Sequence, residues 1–424
     1  MDNLIVRTFD PGDEQGVNEV MRKAFKSPNA NAYPFPPSRF IVVAELDGAI
    51  VGHTTLRPMM FYVAGKKIPG NVLHMVATDP AQQKKGIGHA VLDRVIEISE
   101  REGQLVSVLE TPVPRFYGLK GWEIIGDRKE LVISKASLGE SKDLPPGMEI
   151  ADGNKDHVQV YAGLRERFAR QFTLFAAGNV EYFQRIYEFV NNGSIVNFFH
   201  EIRLNGKIAG YVGGSRDADV KEGEPLKVTI REIVLDQVSD GILVAILRHL
   251  LSFDDEFQAV SINFPVSKEI EAVLLARGVK SRDPGGNKDM VRVNSVDGVI
   301  NALGSEIGAG LSALVKQRKG TRAEDIAIDV DGQRVLVQCG KETCKAAKID
   351  GTVAVKNQLS IIRNAFAWMV LGIKTPSDLV KSGAARCNPA SILPQLDAMF
   401  PKRLVVLNYY PNFYQAHLKE MGIK

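Results

Sequence analysis

The chain has 424 residues, of which 45% are hydrophobic and 24% charged, with a formal net charge of +3. This balance is typical of a globular protein of two or three domains, and the charge is too small to indicate a nucleic-acid partner. No basic segment followed by a long apolar run opens the sequence, and its longest strongly apolar run, AFAWMVLGI, is too short to cross a bilayer, so we expect neither a signal peptide nor a membrane partner.

The cysteines indicate a reducing compartment. Cys339, Cys344 and Cys387 are odd in number and form no CxxC motif. We therefore expect free buried thiols in a cytoplasmic protein, with no disulfide and no metal site.

The first part of the chain alternates between strand patterns and one amphipathic helix. Residues 40–63 predict two strands joined by a type I′ turn at Asp47-Gly48. The helix prediction rests on apolar residues at helical spacing, and Gly103 can end it. In chain order, the patterns predict a strand at 71–79, a helix at 86–103, a strand at 105–111, a short helix and turn at 112–121 and a last strand at 122–134.

The same order of elements returns after a polar segment at residues 135–147, which has the composition of a domain linker. ELDGAIVG (45–52) is matched by IRLNGKIAG (202–210). HMVATDP (74–80) is matched by REIVLDQ (231–237), and a predicted helix follows both of these segments. The offset is nearly constant at about 157 residues, which indicates a duplicated domain rather than a short solenoid repeat. The second copy lacks the glycines that follow the strand in the first and has only Gly241 there.

A third segment begins near DMVRVNSVDGVINAL, so we divide the chain into 1–140, 148–285 and 286–424. Thr375 as N-cap, Pro376 at the first helical position and Gly383 as the stop predict one short helix in this segment. The patterns further predict strands within 325–339 and 348–355, with Asp-Gly turns, and helices at 357–372 and 375–383.

The loop between the strand at 71–79 and the helix at 86–103 combines two lysines with two glycines. The start of a helix presents free N–H groups and a partial positive charge, and glycine lets a phosphate approach the backbone closely. The loop matches neither GxxxxGK[ST] nor a Rossmann GxGxxG. Spacing alone leaves two alternatives open, a phosphate cradle and a tight turn with solvated lysines.

QKKGIG (83–88) resembles the Q/R-x-x-G-x-G/A loop of the GNAT superfamily of acyl-CoA-dependent N-acyltransferases, and FYGLKGW (116–122) is similar to that family's FYxxxGF segment. The resemblance implies that the acyl-CoA pantetheine pairs with the backbone of Val76, Ala77 and Thr78. It also implies that the pyrophosphate is held by the loop residues Gln83, Lys84, Lys85, Gly86, Ile87 and Gly88.

Family position further implies a catalytic role for Tyr117. Acyl transfer from a thioester expels a thiolate whose conjugate acid has a pKa of about 8.5, and a phenol within reach can protonate that sulfur. The alternative is a core tyrosine packed beside Phe116 and Trp122.

The whole arrangement resembles the enhanced intracellular survival (Eis) family of acetyltransferases. The resemblance implies a catalytic GNAT domain at 1–140, a degenerate GNAT-like domain at 148–285 and a sterol-carrier-protein-like domain at 286–424. It implies an α/β (α+β) fold of tandem mixed sheets with flanking helices. It also implies acetyl transfer from acetyl-CoA to a primary amine of a small molecule, an aminoglycoside or a protein lysine, and a homo-hexamer. The alternative function is an acyl-CoA sensor or a lipid carrier, and a carrier needs neither the loop nor Tyr117.

The general base is left open. In the family it is the terminal carboxylate, but here PNFYQAHL (411–418), which resembles the family's ending, is followed by KEMGIK. A free carboxylate is a weak base and needs a water relay. The candidates are the carboxylate of Lys424, Glu110 and His74.

Overall fold

The structure of the chain is a computed structural model. The structure describes residues 3–30, 35–126, 129–139, 143–191, 196–216, 226–262, 265–283, 285–317, 323–340, 342–351, 353–408, 418 and 421–423.

Strands and helices alternate along the chain. In order they are β1 Leu4–Thr8, α1 Glu14–Phe25, β2 Ile41–Leu46, β3 Ala49–Val63, β4 Lys66–Thr78, α2 Ile87–Arg101, β5 Val106–Thr111, α3 Pro114–Gly118, β6 Glu123–Ile124, β7 Glu130–Ser134, β8 Met148–Asp152, α4 Val158–Ala169, β9 Thr173–Ala176, α5 Val180–Asn191, β10 Phe198–Leu204, β11 Lys207–Ser215, β12 Lys227–Leu235, α6 Asp240–Leu251, β13 Ala259–Ile262, α7 Lys268–Ala276, β14 Ser281–Arg282, β15 Lys288–Val293, α8 Val296–Ala302, α9 Gly304–Gln317, β16 Ile326–Val330, β17 Gln333–Cys339, β18 Cys344–Lys348, β19 Gln358–Ile361, α10 Arg363–Val370, α11 Pro376–Lys381, β20 Ala385–Asn388, α12 Leu393–Met399 and β21 Val405–Asn408.

Tight hairpin turns form where the sequence predicts them. Asp47 and Gly48 have φ of 51° and 81° and join β2 to β3, so the type I′ turn is confirmed. Asn205-Gly206 and Asp331-Gly332 join β10 to β11 and β16 to β17 in the same left-handed conformation. Asn, Asp and Gly adopt it at low steric cost, which is why these dipeptides are dependable signals.

The chain forms two compact units. The first comprises residues 1–126, 172–176 and 287–424. Its described strands form one sheet in the order β1-β2-β3-β4-β5-β15-β6, with β9 paired to both β3 and β21, and another in the order β18-β17-β16-β19-β20. Strand β15, from the predicted third segment, pairs antiparallel with β5 along its length. The division into three consecutive domains stays a prediction, and these pairings cross its boundaries.

The second unit comprises residues 127–171 and 177–286. Its described strands form one sheet in the order β14-β7-β13-β12-β11-β10-β8. The single strand predicted at 122–134 is wrong, because the chain forms β6 and β7 in two different sheets. Gly126, with φ of 150°, lies between them in a conformation that leaves the regular strand.

The third segment contains two more differences from prediction. The strand predicted at 348–355 is wrong: β18 ends at Lys348, the described residues among 349–355 form no strand, and Arg334 donates to the carbonyls of Asp350 and Gly351. The helix predicted at 357–372 begins only at Arg363, because residues 358–361 form strand β19, parallel to β16 and with Leu359 and Ile361 buried. A short apolar run fits either a buried strand or a helix, so periodicity did not distinguish them. The helix α11 has the predicted caps, with a Thr375–Asp378 capping box.

The predicted fold class, mixed α/β sheets with flanking helices, is confirmed. Helix α2 packs on one face of the first sheet through buried Val91, Val95 and Ile98, and α1 packs on the other through Val17 and Met21. Within the described ranges no single helix is long and apolar enough to cross a membrane. The bent pair Val296–Ala302 and Gly304–Lys316 passes that test together, with a 66° break.

Candidate functional site

A wedge opens between the parallel strands β4 and β5. In the described chain they pair only from Gly70 with Val106 to Val72 with Val108. Strand β4 continues to Thr78 and β5 to Thr111, so their carboxyl ends separate. The edge of β4 that faces β5 is therefore left for another extended molecule.

Beyond Val72, the backbone of β4 is oriented so that its N–H groups can pair with an extended molecule in the wedge. A bulge breaks the β3–β4 register near His53, and Met75 has a φ of 57°. Downstream, Asp79 N–H donates to Val51 C=O at 2.8 Å. Because N–H directions alternate along a strand, those of Thr78 and Val76 point away from β3 and toward the wedge.

The loop that follows is exposed and ends in the start of a helix. Residues 83–86 are exposed, and both Lys84 and Gly86 are left-handed, with φ of 63° and 80°. Gly86 is the N-cap of α2 and supplies no side-chain cap, so the first N–H groups of the helix have no intrahelical acceptor. A Cβ on Gly86 would meet nothing within 4 Å. This open, positively polarised helix start fits an anion such as a pyrophosphate.

The other two predicted loop residues face inward. The Ile87 side chain is 1% exposed in the core under α2, so only its backbone can contribute to a ligand site. A Cβ on Gly88 would lie 2.8 Å from Cζ of Phe116, so glycine is required for this ring to pack against the helix. His89 in turn stacks on Phe116 at 4.7 Å between ring centroids.

Tyr117 lies on α3 within the same hydrophobic core and is 7% exposed. Its ring meets Phe116 and Trp122 edge-on, at 4.9 and 6.3 Å between centroids. Burial raises the pKa of Tyr117 to about 12, against a smaller lowering by its hydrogen bond with Thr111. The phenol therefore keeps its proton at neutral pH and can act as a donor. The position of Tyr117 is therefore compatible both with a proton donor to the departing sulfur and with a packed core residue.

Sequence reasoning missed a basic cluster formed by His53 and Arg57 with His74. His53 and Arg57 are fully buried on β3. Burial, with the charge of Arg57, lowers the pKa of His53 to about 4 and that of His74 to about 3. Among the described residues, neither Nε2 of His53 nor Nδ1 of His74 has a hydrogen-bond partner. Strand β3 reads as HTTLRPMM, whose pattern gives no signal that these polar side chains are buried.

The candidate base Glu110 lies on β5 beyond its last contact with β4. Leu73 and Leu109 belong to the core under α2. Because side chains alternate between faces, His74 and Glu110 therefore share the opposite face. The Glu110 carboxylate accepts from Asn287 at 2.8 Å. The structure thus brings two of the three proposed bases to one wedge, while Lys424 and residues 411–417 lie outside the described residues.

The described end of the chain also reaches this region. Ile423 packs against the hydrophobic core that contains Tyr117, and its N–H donates to Leu418 C=O at 2.8 Å. Apolar contact by Ile423 supports the expectation that the final residues lie near the site.

The equivalent junction in the second unit is built differently. Helix α6 begins after Ser239, whose Oγ accepts from Ile242 N–H at 3.3 Å, and Asp240 adds a negative charge to its first turn. Residues 236–241, all described, include none with positive φ. The helix start is therefore already capped by its own side chain, which removes the features that favour an anion in the first unit.

A buried carboxylate occupies the corresponding strand. Among the described residues, β12 pairs with β13 only as far as Ile230. Glu232, beyond that point and 3% exposed, accepts from Arg165 at 2.8 Å, from Tyr182 at 2.7 Å and from Tyr211. The interior of this junction is thus filled by a hydrogen-bonded network of the chain's own side chains.

No group of three or more His, Cys, Asp or Glu side chains placed to hold a metal ion occurs in the described part of the chain.

Comparison with known proteins identifies the first part of the chain. Residues 5–125 match the family model of the acetyltransferase (GNAT) domain, so the chain contains such a domain. The crystal structure of a GCN5-related N-acetyltransferase from Anabaena variabilis is similar, with a TM-score of 0.72 and 13% identity over 96% of this chain and 100% of that one. A GCN5-related N-acetyltransferase from Kribbella flavida has a TM-score of 0.70 and 15% identity, over 96% and 98%.

Eis1 from Mycobacterium abscessus is similar as well, with a TM-score of 0.66 and 15% identity over 96% of this chain and 100% of that one. At such identities the likeness establishes the fold. No curated protein matches the sequence. The sterol-carrier-like nature of residues 286–424 stays a prediction.

Proposed function

We propose that the protein is an acetyl-CoA-dependent N-acetyltransferase that transfers an acetyl group directly to a primary amine in a ternary complex. The wedge between β4 and β5, directly before the open helix start at Gly86, carries this proposal. Val76, Ala77 and Thr78 would pair with the pantetheine, and the loop 83–88 would hold the pyrophosphate through its N–H groups and lysines. Acetyl-CoA supplies the activated thioester.

The chain's part in the reaction is to position, polarise and move protons. Bound along β4, the thioester carbonyl comes within reach of the Val76 N–H, which would stabilise the oxyanion that forms when the amine attacks. Holding both reactants in one wedge supplies much of the acceleration. As the C–S bond breaks, Tyr117 would donate its proton to the departing sulfur.

The amine must lose a proton, and the wedge offers two candidates for its acceptor. His74 is neutral at physiological pH, but its lowered pKa of about 3 makes it a weak base. Glu110 lies on the same face, and a carboxylate acts through a water relay. A carboxylate from the end of the chain is the third candidate. We further propose that six copies of the chain form a hexamer. Light scattering measures the molar mass that tests this assembly.

The direct test is release of free CoA thiol from acetyl-CoA with a panel of small amines, aminoglycosides and lysine peptides. Thiol release that depends on the amine, with an N-acetylated product found by mass spectrometry, supports the enzyme. Acetyl-CoA binding without turnover for every amine would instead support the sensor alternative. The absence of binding by calorimetry would contradict both.

A further inference from the structure

Two of the three cysteines face each other across a hairpin outside the proposed acyltransferase site. Cys339 on β17 is in direct register with Cys344 on β18, and their Sγ atoms lie 2.8 Å apart. Gly340 N–H donates to Thr343 C=O at 2.9 Å, so this next pair of the ladder is hydrogen-bonded. Because hydrogen-bonded and non-hydrogen-bonded pairs alternate, the cysteines form a non-hydrogen-bonded pair, whose Cα atoms lie about 4.5 Å apart. That separation suits a disulfide.

The hairpin is held firmly against the neighbouring helices. Asn301 on α8 binds the backbone of Ala346 through both its amide nitrogen and its oxygen, at 2.9 and 2.7 Å. A Cβ on Gly304 would lie 2.2 Å from the Cys344 carbonyl oxygen, so only glycine lets α9 approach this closely. These contacts fix the hairpin, so the two sulfur atoms already face each other and no backbone movement is needed to join them.

A small oxidant can reach the pair. Cys344 is 1% exposed, but it lines a surface cavity together with Asn301, Gln338 and Thr343. Cys339 is partly exposed. Its hydrogen bond with Cys339 lowers the pKa of Cys344, which favours thiolate at that sulfur.

We propose that Cys339 and Cys344 are a redox-modification site that closes to an intrachain disulfide on reaction with a small hydroperoxide. The Cys344 thiolate attacks the peroxide, the O–O bond breaks, and Cys344 becomes a sulfenic acid as water or an alcohol leaves. The Cys339 sulfur then attacks the sulfenic sulfur. The S–S bond forms, the S–O bond breaks, and the hydroxyl leaves as water with the Cys339 proton. Two thiols are oxidised by two electrons and the peroxide is reduced; a small dithiol reverses the change by exchange.

Peptide mapping tests this on the full chain. The protein is treated with hydrogen peroxide, free thiols are blocked with N-ethylmaleimide, and trypsin cuts after Arg334, Lys341 and Lys345. We expect peptides 335–341 and 342–345 joined by a disulfide, two hydrogen masses below their sum, and separated again by dithiothreitol. Three maleimide adducts per chain after peroxide, or disulfides only between chains, would overturn the proposal.

Three variants assign the roles. Cys387→Ser is the matched control and should leave the linked peptides unchanged. In Cys339→Ser the sulfenic acid on Cys344 has no resolving thiol, so dimedone should label Cys344. In Cys344→Ser neither the link nor dimedone labelling at Cys339 should appear. Labelling at Cys339 but not at Cys344 in the two single variants would overturn the assigned order of attack.

Discussion

The junction β4–α2 in the first unit and the junction β12–α6 in the second have the same backbone plan and opposite contents. Each has a bulge in the preceding hairpin, at His53–Thr55 and at Gly213–Gly214. Each central strand extends past its parallel neighbour. The first junction ends in an uncapped helix start at a left-handed Gly86, whereas Ser239 caps the second. The sheet provides the wedge, and a few residues decide whether it can bind an anion.

The buried side chains differ in the same sense. In the second unit Glu232 is neutralised and hydrogen-bonded by Arg165 and two tyrosines. Beside the first junction, His53 and His74 keep nitrogen atoms without partners among the described residues, as His200 and His249 of the second unit do. Unsatisfied buried polar atoms cost free energy and are tolerated where a ligand or water completes them. The two helix starts, one uncapped at Gly86 and one capped by Ser239, therefore favour one acyl-donor site per chain.

The largest effect is expected from replacing one buried tyrosine in each unit: the first replacement should lower kcat, and the second should lower stability only. Tyr117→Phe removes the proposed proton donor but keeps the ring, so kcat should fall by about 10²–10⁴-fold with little change in acetyl-CoA affinity. The matched variant Tyr211→Phe removes a hydrogen bond to Glu232 and should cost about 1.5–3 kcal/mol of unfolding free energy, with kcat unchanged. Steady-state kinetics and denaturant unfolding measure the two.

A Tyr117→Phe enzyme with kcat near that of the parent would return Tyr117 to the role of a core residue. The same variant with a large loss of stability would show that the phenol matters through Thr111 rather than through the reaction.

Much of this contrast could be predicted from sequence because its signals are local. The loop glycines, the Asp-Gly and Asn-Gly turns and the α11 capping box act within a few residues. The buried His53 and Arg57 could not be predicted, because their burial depends on strands and helices distant in sequence. The pairing of β15 with β5 likewise joins residues far apart along the chain, and no local pattern encodes such a partner.

The second prediction concerns acid. Burial lowers the pKa of His53 to about 4, so between pH 6.5 and 4 the unfolded state binds more protons than the folded state. Stability from this group is therefore complete above pH 6.5 and is lost as the pH falls toward 4, by about 3 kcal/mol. His53→Asn, which can still donate to Met75 C=O, should flatten the decline of unfolding free energy with acid. An unchanged pH profile would show that His53 is not the group that titrates.

The third prediction tests the helix start directly. Gly86→Asp places a side chain at φ of 80° and a negative charge where the pyrophosphate would bind. Strain and repulsion together should weaken acetyl-CoA binding by about 10–100-fold in calorimetry. Gly241→Asp, at an exposed position in the first turn of α6, is the matched control and should leave one full-affinity site per chain. Two sites in the parent protein, or equal losses in both variants, would contradict the contrast between the junctions.

The smallest effect concerns the end of the chain. Ile423 packs against the core that contains Tyr117, so removing residues 419–424 should loosen the site from one side. Loss of this apolar contact, on the order of 1 kcal/mol, should raise KM for the preferred amine about 5-fold. The truncation also places a new carboxylate on Leu418, where the resemblance to the Eis family would put it, so a terminal carboxylate acting as base would preserve or raise kcat. Ile423→Ala in the full-length chain isolates the apolar contact and should reproduce the KM change alone. Kinetic parameters equal to those of the parent for every amine, in both variants, would refute a role for the final residues, since exposed termini usually tolerate truncation.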